Sequence, residues 1–294
     1  MKTVRYDDPS TDEVHLGIVG DDQDGVYSVT KQVPNWTEPL AMWRALRMLE
    51  IPYQTAQERF SQGTRLSLKD LVHQNRLLCP VACSEVWASG VTYERSRQAR
   101  NEESEAENTI YDKVYTAVRP ELFFKATYQR VIPSGGSLGL RSDSQWMIPE
   151  PELTLVVSDR GDIVGWTLGN DVSSRDIEGD NPLYLPQAKI FRGSCALGPV
   201  LLWNTGEEQP KRWTITLAID RGGKRVVEGR VSLEEFRRDF RELVEYLMRD
   251  NVVFDGTALM TGTGIVPPND FSLQSGDVVR IGVDAIGELI NVVG

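Results

Sequence analysis

The stretch Pro149-Glu150-Pro151-Glu152-Leu153-Thr154-Leu155-Val156-Val157 sets two carboxylates at the start of a run of strand-forming residues. On an extended segment, residues at i and i+2 point to one face. Pro151 between them has no amide hydrogen and suits the first residues of a strand or an edge. Two like charges side by side repel, so they are either solvated or held together by a cation. Nineteen residues after Glu152 comes Asp171, in Gly169-Asn170-Asp171-Val172-Ser173-Ser174-Arg175-Asp176, at the end of the strand-like run 163–168. Asn-Asp after Gly is ordinary turn chemistry. Three carboxylates from two strand ends also make an all-oxygen donor set, which suits a hard, partly hydrated ion such as Mg²⁺. Lys189 follows in Leu185-Pro-Gln-Ala-Lys-Ile190. A lysine beside a metal and apolar groups is a candidate base.

Outward from this stretch the chain is rich in short strands. The runs 152–157, 163–168, 213–219, 225–230, 278–283 and 288–293 carry strand-forming residues bounded by Gly, Asp, Asn or Pro. One helix is expected among them. Ser232-Leu-Glu-Glu235 is a capping box, and Leu233, Phe236, Phe240, Leu243, Val244, Leu247 and Met248 follow as an apolar stripe at helical spacing. Strands without βαβ alternation predict an α+β fold that is mainly β, closed or folded over on itself. Residues 1–80 read as a small N-terminal α/β domain. It has strands over 14–19 and 26–33 around an acidic turn, a helix over 38–49 and a short helix over 66–72. Arg76-Leu-Leu-Cys-Pro80 reads as a linker or edge segment. Residues 81–294 form the second domain. Within it, 95–108 is a highly charged helix, solvated or serving as a lid.

Composition excludes several classes. Lys plus Arg is 32 and Asp plus Glu is 43, a net charge of −11, which argues against nucleic-acid partners. His15 and His73 are the two histidines, too few for a histidine-rich zinc site. Cys79, Cys83 and Cys195 form neither a disulfide framework nor a paired zinc motif. No apolar run approaches a membrane span, and the start lacks an apolar leader, so a cytoplasmic protein is expected.

The ordered set of Glu150-x-Glu152, Gly169-Asn-Asp-Val-Ser-Ser-Arg-Asp176, Lys189 and Leu197-Gly-Pro-Val200 resembles the fumarylacetoacetate hydrolase superfamily. Thr261-Gly-Thr-Gly-Ile-Val266, Leu273-Gln-Ser-Gly-Asp277 and Ile286-Gly-Glu-Leu-Ile-Asn291 extend the resemblance over about residues 85–294. It implies a mixed β-roll core, a small N-terminal domain, Mg²⁺ (with Mn²⁺ as a substitute), 2-keto acid substrates and a homodimer or homotetramer. It implies Glu150, Glu152 and Asp171 as metal ligands and Lys189 as the active-site lysine. Arg175 and Thr263 would bind substrate oxygens, with Ser89, Gly90 and Lys125 also placed at the substrate.

One departure from the family pattern is informative. Hydrolytic members carry Gly-x-Asn-Tyr-x-x-His-x-x-Glu, whose His–Glu pair activates water. Here the segment reads Gly90-Val-Thr-Tyr93-Glu-Arg-Ser96-Arg-Gln-Ala99, with Ser96 and Ala99 at those two places. Arg119-Pro-Glu121-Leu-Phe-Phe-Lys125 matches the family's Pro-x-x-Phe-x-Lys segment and adds an acid at Glu121. Together with residues 85–90, 109–115, 141–146 and 181–187, this resembles the branch that dehydrates 2-keto-3-deoxy sugar acids. The activity implied is Mg²⁺-dependent loss of water through a metal-stabilised enolate, for example from the D-arabinonate form to 2,5-dioxopentanoate. Lys189 and Glu121 would share the base and acid roles in either order. The alternatives are a C–C-cleaving hydrolase of 2,4-diketo-3-deoxy sugar acids, a keto-acid decarboxylase or tautomerase, and a non-catalytic binding protein.

Overall fold

The computed structural model describes residues 1–103 and 110–294. Its centre is the strand Pro151–Val157, buried along its whole length. Leu153, Leu155 and Val157 enter one hydrophobic core and Val156 the other, as period-2 alternation requires. The strand Cys195–Trp203 divides in the same way, Ala196, Val200 and Leu202 facing Leu197, Leu201 and Trp203 across the backbone. A sheet buried on both faces needs a layer on each side. Both strands lie in an eleven-stranded sheet, mostly antiparallel. One face meets a five-stranded sheet, which supplies Ile215, Leu217, Ile281 and Leu289, and the helix Phe240–Met248, which supplies Leu243 and Leu247. The other face meets the helices Pro39–Met48 and Tyr53–Phe60 through Leu40, Trp43, Leu46 and Phe60. Strands dominate and helices cover the sheet, which is the expected α+β, mainly β roll. No helix among the described residues is long and apolar enough to cross a membrane.

The N-terminal strands share the large sheet. Lys2–Asp7 pairs with Val14–Val19 on one side and with Cys195–Trp203 on the other. Leu77 bridges Tyr6, so the expected linker at 76–80 is an edge segment laid along the first strand. Three local expectations change. The strand expected over 26–33 stops at Ser28, because Thr30 turns inward and its hydroxyl donates to the Trp36 carbonyl. The region 66–72 is split between a strand, Arg65–Ser67, and a helix, Leu68–His73, capped by the Ser67 hydroxyl. The capping box at Ser232 caps only a 3₁₀ turn, Leu233–Glu235. A second cap at Asp239 then starts the helix proper, so one expected helix is two elements sharing one apolar stripe. The charged helix is observed as Glu94–Glu103, and positions 104–109 lie outside the described residues.

Candidate active site

Two antiparallel strands, Pro151–Val157 and Ile163–Asp171, bring the acids together. Pro151 opposes Asn170 and Glu152 opposes Gly169. Beyond the ladder, the Asp171 amide donates to the Glu150 carbonyl at 3.0 Å, and the Glu150 amide donates to Asn170 Oδ1 at 3.2 Å. Glu150, Glu152 and Asp171 thereby offer carboxylate oxygens within 4.8 Å of one another, all three residues buried. Burial pushes the Glu152 carboxyl well above its usual range, and the Asp171 and Glu150 charges push it further. The Gly262 amide opposes this by donating to Glu152 Oε2 at 2.5 Å. Gly262 has φ +92°, and a Cβ there would lie 2.1 Å from Thr92 Oγ1, so a side chain is excluded twice. Three crowded buried carboxylates with an all-oxygen donor set fit a hard divalent cation.

Three cationic side chains lean on the triad. Lys189, in the short helix Leu185–Lys189, lies 2.8 Å from Glu150 Oε2 and 3.3 Å from Asp171 Oδ2, and its ammonium donates to Ser173 Oγ at 2.6 Å. Lys125, fully buried, lies 2.5 Å from Asp171 Oδ1 and donates to the carbonyls of Val172 and Lys189. Arg175 Nη2 lies 3.4 Å from Glu150 Oε1.

A small cleft opens beside this cluster. Glu150, Asp171 and Lys189 line it, together with Ser89, Gly90, Glu121 and Thr263. Lys125 and Arg175 stand behind the wall, bracing carboxylates. The strand Glu121–Thr127 explains how one element serves both layers. Its period of two sends Glu121 and Phe123 to the same face, and a register shift of the ladder falls at Lys125, between Phe124 and Ala126. Glu121 and Phe123 reach the cleft, Lys125 reaches Asp171 behind it, and the Phe123 ring centre lies 5.6 Å from Lys189 Nζ. Ser96 also lines the cleft, its hydroxyl donating to the Tyr93 carbonyl. Neither histidine does. His15 is buried beside Ser28 and Asp8, in the strand Val14–Val19.

Two cleft features escape the sequence reading. Glu178, buried in the helix Arg175–Asp180, is an acid of the lining outside the metal triad. Its only sequence signal is its place three residues after Arg175, one helical turn away. Val91 sits at the rim with φ +52°, a backbone conformation that costs a β-branched residue about 1–3 kcal/mol.

Comparison with known proteins agrees with this geometry. Residues 85–294 match the family described as fumarylacetoacetate (FAA) hydrolase, C-terminal. The chain is 47 % identical over 222 residues to a 2-dehydro-3-deoxy-D-arabinonate dehydratase of Saccharolobus solfataricus, covering 74 % of each chain. It is also 47 % identical over 212 residues to a probable 2-keto-3-deoxyxylonate dehydratase of Haloferax volcanii, covering 72 % of this chain and 73 % of that one. A solved structure of a 2-keto-3-deoxy-D-arabinonate dehydratase complexed with magnesium and 2,5-dioxopentanoate superposes with a TM-score of 0.83 at 36 % identity, covering 100 % of this chain and 98 % of that one. With its acids, lysine and cleft assembled on this sheet, the chain belongs to the fumarylacetoacetate hydrolase family.

Proposed function

We propose that this protein is a Mg²⁺-dependent dehydratase of 2-keto-3-deoxy sugar acids, converting a 2-keto-3-deoxypentonate such as the D-arabinonate form to 2,5-dioxopentanoate. The observation that carries this reading is a single cleft holding Glu121 and Lys189 beside three buried carboxylates. The dehydratases among its relatives support it. When bound by Glu150, Glu152 and Asp171, the cation supplies Lewis acidity at the 2-keto acid end of the substrate and offsets the carboxylate charge. Mn²⁺ is a substitute that an oxygen donor set also accepts.

The chain's own groups move the protons. Once it has given its own ammonium proton to solvent, the Lys189 amine takes a proton from C3, with Ser173 Oγ at 2.6 Å and Glu150 Oε2 at 2.8 Å fixing the end of the side chain. The Glu121 carboxyl gives a proton to the C4 hydroxyl, which leaves as water. A proton shift from C5 to C3 leaves a C4–C5 enol, whose hydroxyl proton then moves to C4 to give the C5 aldehyde, and the balance is the loss of one water. Ser89 and Thr263 offer hydroxyls to substrate oxygens, while Gly90 shapes the wall. Arg175 and Lys125 hold the carboxylates from behind. Among the described residues no histidine lines the cleft, which favours elimination over hydrolysis. In the same reading residues 81–294 are the catalytic domain and 1–80 a smaller one, and the protein works in the cytoplasm as a homodimer or homotetramer.

The test is to incubate the purified protein and Mg²⁺ with 2-keto-3-deoxypentonates, hexonates and 2,4-diketo acids. Loss of one water in the mass spectrum of a pentonate product is expected. Gain of water with C–C cleavage, or no reaction, would overturn the reading.

A further inference from the structure

We propose that Gly90 is the positioning residue for Glu121: the side chain missing at position 90 is the seat on which the Glu121 carboxyl rests. The inference deepens the reading above, since it takes Glu121 to be the acid of the dehydration.

Gly90 ends the strand Glu85–Gly90, Glu121 begins the strand Glu121–Thr127, and the two are directly opposed partners in an antiparallel ladder. Opposed residues send their side chains out on the same face, with Cβ atoms about 4.5–5.5 Å apart. Here one of the two side chains is absent, and Glu121 lies over the gap. A Cβ built at Gly90 would stand 2.0 Å from Glu121 Oε2, 2.6 Å from Cδ and 3.4 Å from Cγ, and these are its three nearest atoms. Van der Waals contact begins well beyond the first two distances.

Backbone conformation does not explain this glycine. Gly90 is not among the residues with positive φ, whereas Gly262 across the site has φ +92°. An L-residue at 90 is therefore conformationally acceptable, and the obstacle it meets is the Glu121 carboxyl itself. That obstacle is the end of a flexible side chain and moves without disturbing the sheet. Ser89 on the one strand, Val91 just past its end and Phe123 on the other strand line the same cleft as Gly90 and Glu121. A methyl group at 90 thus displaces the proposed proton donor while leaving the fold and the metal-binding carboxylates alone.

The experiment is Gly90→Ala, Glu121→Ala and the double variant, in the full chain with Mg²⁺ and a 2-keto-3-deoxypentonate. Gly90→Ala is expected to lower kcat about tenfold to a hundredfold, as misplacing a catalytic group does, with KM little changed. Its Tm should equal or exceed that of the parent, because alanine restricts the unfolded chain. The double variant should match Glu121→Ala within about twofold, since the seat has nothing left to position. Full kcat in Gly90→Ala, an equal further loss on the Glu121→Ala background, or failure of Gly90→Ala to fold would each overturn the proposal. If the parent protein does not dehydrate the substrate, the functional reading falls. A crystal structure of Gly90→Ala then decides the seat alone: a displaced carboxyl upholds it, and an unmoved one overturns it.

Discussion

Two buried polar clusters in this molecule handle carboxylates in opposite ways. In the N-terminal strands, Asp8 is one acid among donors. The Ser10 amide and hydroxyl both donate to it, Lys31 Nζ lies 2.8 Å from its Oδ2, and His15 Nδ1 lies 3.5 Å away. Burial pushes the Asp8 carboxyl up, but Lys31 and Ser10 outweigh it and hold the group below the usual carboxylate range. At the cleft, burial pushes the Glu152 carboxyl well above that range and two other acids push it further, more than the Gly262 amide and Lys189 offset. An acid buried among donors stabilises the fold it sits in. An acid buried among acids strains the fold and is poised for a cation. The first arrangement marks structure and the second marks chemistry.

The sharpest way to break this contrast is to remove the two groups proposed to carry protons beside the crowded cluster. Lys189→Met and Glu121→Gln should each lower turnover by roughly 10²–10⁴-fold, the range that a positioned acid or base contributes. Mg²⁺ binding to Glu121→Gln, followed by calorimetry, should be retained. Lys189→Met should also stop solvent-deuterium exchange at C3 of pyruvate-like ligands. Exchange that persisted would clear Lys189 of the base role.

Glu152→Gln tests the strain itself. An acid whose folded value is raised loses stability for the fold as pH rises above its unfolded value, so Glu152 costs the metal-free fold stability at pH 7. Metal-free Glu152→Gln should therefore melt above the metal-free parent at pH 7, and the order should reverse in Mg²⁺. A variant that melts lower in both conditions would show that the triad is structural.

Asp8→Asn is the control with the smaller effect and the opposite sign. It should cost about 1–3 kcal/mol at pH 7, the range for a broken charged hydrogen-bond set, and leave kcat unchanged. Asp8 has a depressed folded value, so its contribution is present above the unfolded value of about 4 and is lost as pH falls through the folded one. The gap in Tm between parent and variant should close as the pH is lowered below about 4, which melting curves across that range would show.

Much of the site was legible because it depends on local periodicity. Glu150 and Glu152 come together by the extended repeat at the start of the strand, and the same repeat aligns Glu121 and Phe123. Glu178 was not legible, because its burial follows from where a one-turn helix docks, not from its neighbours in the chain. Nor was the place of Lys125, expected at the substrate, which pairs with Asp171 outside the cleft lining while Lys189 faces the cleft.

The sequence by itself determined the strands, which rest on residue type and a spacing of two, while its resemblance to the family pointed to the acidic triad, the lysine and the absent histidine. Only the tertiary structure decided that Gly90 underlies Glu121, that the N-terminal strands join the central sheet through Lys2–Asp7, and that Lys189 lines the cleft while Lys125 pairs with Asp171 outside its lining. Those outcomes are set by pairing register between segments distant along the chain, where one position of slip would turn each side chain to the other face.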